Sequence, residues 1–139
     1  MRKLQNIVST ISLCAFSGAL LAHQAASKPP VIQAKLANVV VTTLHLETQA
    51  AFYENMLGFK SFFRNKTCCF LKTGGANLVF VDTKDKGKVT KNLCLDVAVQ
   101  DLAAAQTALT AGGIQVDATD PAVLKFTDPD GNLVEVVHG

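Results

Sequence analysis

The sequence predicts an α+β fold built from two tandem β-α-β-β-β modules, and three observations carry that expectation. The same order of strand-like and helix-like patterns runs twice between residues 36 and 138. Each helical pattern stops at glycine. The closing hairpins also match, NLVFV at 77–81 against NLVEV at 132–136, with four identities in five at the same point in the order of elements.

In the first module, LANVVVTT (36–43) is apolar and β-branched and reads as a strand. LETQAAFYENMLGFK (46–60) places Leu46, Ala50, Tyr53 and Leu57 on one helical face ending at Gly58. Short strands are expected at 59–64 and 67–72, then a Gly74-Gly75 turn and the strand 77–82. In the second module, NLCLDVAV (92–99) alternates as a strand. DLAAAQTALTAGG (101–113) is a helix with Asp101 as its N-cap and Gly112-Gly113 as its stop. Strands at 114–116 and 123–127, a DPDG turn at 128–131 and the strand 132–138 complete it. An offset of 55 places Leu71 on Phe126, Asn77 on Asn132 and Val81 on Val136, whereas the helices align at 56.

Residues 1–27 carry a secretory pattern: Arg2 and Lys3, the uncharged run 7–22, then the small residues of AHQAAS. The apolar run, about 16 residues, is short of the roughly 20 a bilayer span needs, which favours a cleaved signal peptide over a retained anchor. The expected organisation is a signal peptide at 1–27, a linker at 28–34 and one domain at 35–139 with modules at 35–82 and 91–138. An exported chain, periplasmic or secreted, follows. The whole sequence has 13 Lys+Arg and 11 Asp+Glu; removing Arg2 and Lys3 leaves 11 of each. A neutral domain has no electrostatic footprint for nucleic acid or an anionic membrane. Cys68, Cys69 and Cys94 remain, compatible with one bridge from Cys94 to either neighbour or with three buried thiols.

The two modules, the helix motif AFYENMLGF and the segment FTDPDGNLVEVV together resemble the vicinal-oxygen-chelate superfamily of glyoxalases, bleomycin-binding proteins and extradiol dioxygenases. The resemblance spans about 35–138. It implies curled half-barrels whose paired modules form a cup, helices on the outside, and in many members a dimer. It also implies one divalent metal, such as Fe, Ni, Mn or Zn, held by His and Glu at four corners from the first and last strands of the modules. Carried onto this chain, those corners are Asn38, Phe80, Leu93 or Cys94, and Glu135. Only Glu135 keeps a usual ligand type. His45 follows the first strand, and strand alternation turns His138 away from the Glu135 face. No cofactor is therefore expected, and any metal would rest on Glu135 with Cys94.

Facing the cup, Glu135 is suited to general-base work or to accepting a ligand's hydroxyl. Asn38 offers hydrogen bonds. Phe80, Tyr53 and Phe70 offer surfaces for a flat ligand, and Arg64 at the rim offers a clamp for an anion. No glycine-rich phosphate loop and no GxSxG elbow is present. Three readings compete: a metal-free binder of a small, partly apolar molecule; a lyase, isomerase or oxygenase using Glu135 with an unusual metal site; and a non-catalytic scaffold or partner subunit. A homodimer suits any of them.

Overall fold

A computed structural model describes residues 34–139, so the signal segment and nearly all of the linker lie outside the described residues. The elements run β1 (Asn38–Thr43), α1 (Leu46–Leu57), β2 (Lys60–Arg64), β3 (Cys68–Lys72), β4 (Asn77–Asp82), a 3-10 turn (Lys86–Lys88), β5 (Cys94–Val99), α2 (Leu102–Ala111), β6 (Val123–Thr127) and β7 (Leu133–His138). They form two mixed, unclosed sheets, one of four strands in the order β1-β4-β3-β2 and one of three in the order β5-β7-β6. No helix among the described residues is long and apolar enough to cross a membrane.

Local chemistry explains the helices. The buried positions of α1 are Leu46, Gln49, Ala50 and Tyr53, one stripe at helical spacing. Gly58 ends it at φ 69°, and its N–H reaches the Tyr53 carbonyl, a left-handed conformation that costs glycine least. The Asp101 carboxylate caps α2 by accepting the Ala104 N–H at 2.9 Å. Gly112 answers a different need: a Cβ there would lie 2.7 Å from Met56 Sδ of α1.

Two expectations are corrected. Residues 114–116 form no strand; the only pairing in that stretch is one antiparallel bridge between Asp117 and Lys125. Pairing stops because the Asp117 carboxylate turns to accept the Thr119 N–H and hydroxyl at 2.9 and 2.6 Å. The second correction is the offset of the repeat. Both modules pair first and last strands in parallel with one register, Asn38 with Asn77 and Cys94 with Leu133. β1 and β4 therefore map onto β5 and β7 at an offset of 56, although β3 maps onto β6 at 55. The difference is one extra residue in the second hairpin, five between Thr127 and Leu133 against four between Lys72 and Asn77. Because strand side chains alternate, a slip of one exchanges the two faces. The structural counterpart of Glu135 is Val79, that of Asn38 is Cys94, and Phe80 matches Val136.

Each sheet turns one face to a helix, and the two helix-facing sides share a single core. Val41, Tyr53, Leu71 and Phe80 of the first module pack in one cluster with Leu109, Leu124, Phe126 and Val136 of the second. The Phe52 and Phe126 rings meet across the modules at 6.1 Å. At the same junction Asp128, 4% exposed, accepts from Gln49 Nε2 at 3.0 Å, Tyr53 Oη at 3.1 Å and Asn132 Nδ2 at 3.1 Å. It also accepts the backbone N–H groups of Asp130 and Asn132 at 3.0 and 2.8 Å.

Asp128→Ala should cost about 3 kcal/mol or more in urea unfolding, since Gln49 and Asn132 donors left unpaired cost about 1–3 kcal/mol each. An unchanged midpoint would show that the junction does not depend on this carboxylate. Burial, then the Asp128 carboxylate, holds the Tyr53 phenol far above the ordinary tyrosine range. The unfolded chain releases that proton near pH 10, so this contribution is complete below about pH 10 and lost as pH rises beyond it. Tyr53→Phe should therefore flatten the decline in unfolding midpoint between about pH 9 and pH 11; equal slopes in both proteins would contradict it.

Candidate functional site

The face of the second sheet turned away from its helix gathers a charged row. Register places Asp96 beside Glu135 and Glu135 beside Lys125, directly opposite one another on β5, β7 and β6. Cys94 lies two residues before Asp96 and so on the same face. Lys125 Nζ is 3.0 Å from Glu135 Oε1. The pair is partly exposed, which limits its worth to about 1 kcal/mol or less. The Glu135 hydrogen bond, then its charge, raises the Lys125 ammonium above the usual lysine value. The Cys94 thiol donates to Asp96 Oδ1 at 3.6 Å. Local desolvation, then Glu135 and Asp96, push that thiol above the ordinary cysteine value. A thiol pushed in that direction offers less thiolate, and so is a weaker nucleophile, than a free cysteine.

The corresponding face of the first sheet is neutral and apolar at its centre. It carries Asn38, Val40, Thr42, Phe70, Val79 and Val81 by strand alternation. Asn38 Oδ1 accepts from Asn77 Nδ2 at 3.0 Å, so the two amides hold each other.

Several expected site residues lie elsewhere. Phe80 is fully buried on the helix side, its ring 5.1 Å from that of Tyr53; the one-residue offset put it on the wrong face. Tyr53 is equally buried and gives its hydroxyl to Asp128. Arg64 points to α1, where Glu47 and Glu54 take its guanidinium at 2.9 and 2.6 Å, so it is no free clamp at a rim. Leu93 packs against the core, leaving Cys94 at the strand position. Among the described residues Cys68, Cys69 and Cys94 are free, with Cys69 buried, Cys68 half-buried and Cys94 exposed, so neither a bridge between them nor three buried thiols describes them. His45 is the N-cap residue of α1 without a side-chain capping bond, and His138 is exposed at the end of β7. Sequence reasoning missed Asp96 and Lys125. The alternation of CLDVAV did hold the signal for Asp96, but Lys125 needed the β6–β7 register.

The donor set can be tested against the divalent metal that the resemblance implies. Cys94, Asp96 and Glu135 each offer a ligand atom, and these atoms lie within 4.8 Å of one another. All three stand on one sheet. The first-module corners supply only Val79, which has no donor, and an Asn38 already bonded to Asn77. Glu135 is already engaged by the Lys125 ammonium, and the set holds no histidine. These residues do not fit a four-cornered His and Glu site.

The sequence model of one protein family, described as a glyoxalase-like domain, matches residues 38–137. Lactoylglutathione lyase from Agrobacterium tumefaciens superimposes with a TM-score of 0.63 at 21% identity, over 81% of this chain and 96% of that one. An integron cassette protein from the mobile metagenome of V. cholerae gives 0.63 at 21%, over 78% and 98%. A bleomycin resistance determinant encoded on the transposon Tn5 gives 0.58 at 21%, over 76% and 98%. At such identities the likeness is one of fold. No curated protein matches.

Removing the Glu135 charge should let the Cys94 thiol ionise at lower pH. In Glu135→Gln, alkylation of the Cys94 peptide, followed by mass spectrometry, should reach half its maximal rate at lower pH than in the parent. An unmoved profile would separate the two side chains.

Proposed function

The chain belongs to the glyoxalase-like domain family, matched over residues 38–137, and on that premise we propose that it binds a small, partly apolar molecule without using a catalytic metal. The observation that carries this reading is the Glu135–Lys125 pair at 3.0 Å. A carboxylate held by an ammonium offers a ligand both an acceptor and a donor. The apolar centre of the first sheet's open face supplies apolar contact, with Val40 58% exposed. In this reading the polar end of the ligand meets Glu135 and Lys125, Asn38 offers a hydrogen bond, and a second copy of the chain closes the cup. Export under the N-terminal signal belongs to the same proposal and places the ligand outside the cytoplasm.

Protein purified without chelator should hold well under one Fe, Ni, Mn or Zn per chain by elemental analysis. A stoichiometric metal that disappears in Glu135→Ala would overturn the metal-free reading in favour of lyase, isomerase or oxygenase chemistry. A thermal-shift panel of neutral and charged aromatic compounds should raise the unfolding temperature by several degrees for some of them, by linkage. No shift with any compound would favour a scaffold.

A further inference from the structure

We infer that the β2–β3 face of the first module is a site for a planar aromatic carboxylate, its ring on Phe62, Phe63 and Phe70 and its anionic group between Lys60 and Lys72. This rests on the small-molecule reading above and names the ligand class. The pairing of β2 with β3 slips between Ser61 and Phe63, so Phe62 is an extra residue in the ladder. A bulge of this kind re-aims side chains locally, and here both phenylalanines meet the same ring. Phe62 and Phe63 stand edge-on to Phe70 at 5.9 and 5.6 Å. Without the bulge, adjacent strand residues would point to opposite faces. The result is an aromatic cluster in solvent, with Phe62 49% and Phe63 50% exposed. Two large neighbouring rings left open cost hydration free energy that packing does not recover.

The charges beside the cluster point to an anion. Lys60 and Lys72 are directly opposite across the strand pair, so their side chains leave the same face, and like charges so placed are destabilising. Neither has a carboxylate partner among the described residues. Lysine on an edge strand discourages sheet-to-sheet pairing, which would account for Lys60 on β2. It does not account for Lys72, which lies on the inner strand β3. Lys72 Nζ instead sits over the Phe62 ring, 5.4 Å from its centre, a cation–π arrangement that holds the ammonium at the border of the aromatic surface. Arg64 does not compete for the anion, because Glu47 and Glu54 occupy its guanidinium on the opposite face. A ligand with a flat ring and a carboxylate would cover the rings and relieve the facing ammonium groups together.

Naphthoate, naphthamide and cyclohexane carboxylate, titrated into the purified protein with amide chemical shifts followed by NMR, test this. Naphthoate should bind saturably with shifts concentrated in residues 60–72, and the other two should bind about tenfold more weakly, the loss of one charge-assisted or stacking contact. Lys72→Gln and Lys60→Gln should each weaken naphthoate several-fold and leave naphthamide unchanged, while Phe63→Ala weakens both. Equal affinity for naphthoate and naphthamide, or naphthoate shifts confined to the Cys94–Glu135 corner, would overturn the inference and leave the small-molecule reading standing. Failure of naphthoate to bind would also overturn the inference, while the small-molecule reading would still be decided by the thermal-shift panel. Loss of a dimer in Phe63→Ala by sedimentation, with naphthoate affinity unchanged, would assign the rings to a subunit contact instead.

Discussion

The buried carboxylate of Asp128 is the constraint on which the arrangement of the two modules depends. A carboxylate taken out of water is costly unless its oxygens are hydrogen-bonded. Here the donors come from both halves: Gln49 and Tyr53 of α1 in the first module, and Asn132 with two backbone N–H groups in the second. Apolar contact alone would tolerate some sliding between modules, since it has little directionality. The hydrogen bonds to Asp128 do not, and they fix α1 against the second hairpin while Phe52 and Phe126 meet beside them.

The same turn sets what stands on the open face. Its extra residue shifts β7 by one relative to the matching sequence, so Glu135 lies opposite Asp96 and Lys125 while Val79 occupies the equivalent place in the first module. Symmetry of fold is thus kept without symmetry of chemistry. One sheet is apolar at its centre, with an aromatic edge flanked by Lys60 and Lys72; the other carries an ordered row of acid, acid and base. A family whose metal sites draw on both modules meets here a chain whose donors gather on one. Arg64, by contrast, is absorbed locally by Glu47 and Glu54.

The sequence by itself determined the fold class, the two modules, both helices with their Asp101 and Gly58 ends, and all seven observed strands, five to within one residue and β1 and β5 begun two residues early. These rest on periodicity, capping and turn residues, which act over a few positions and are written in local order. It also reached Glu135 and Cys94, through the corner positions that the family resemblance carries onto this chain. Tertiary structure decided the rest. Phe80 was misplaced because alternation inside a strand does not say which face is buried, and one added turn residue reverses the answer. Tyr53 and Arg64 look like site residues until Asp128 and the α1 acids, distant or on another element, are seen to hold them. Residues 114–116 have strand composition but lose pairing to the Asp117 turn. Lys125 joins Glu135, and Lys60 faces Lys72, only through register, which depends on contacts between strands that no single segment encodes.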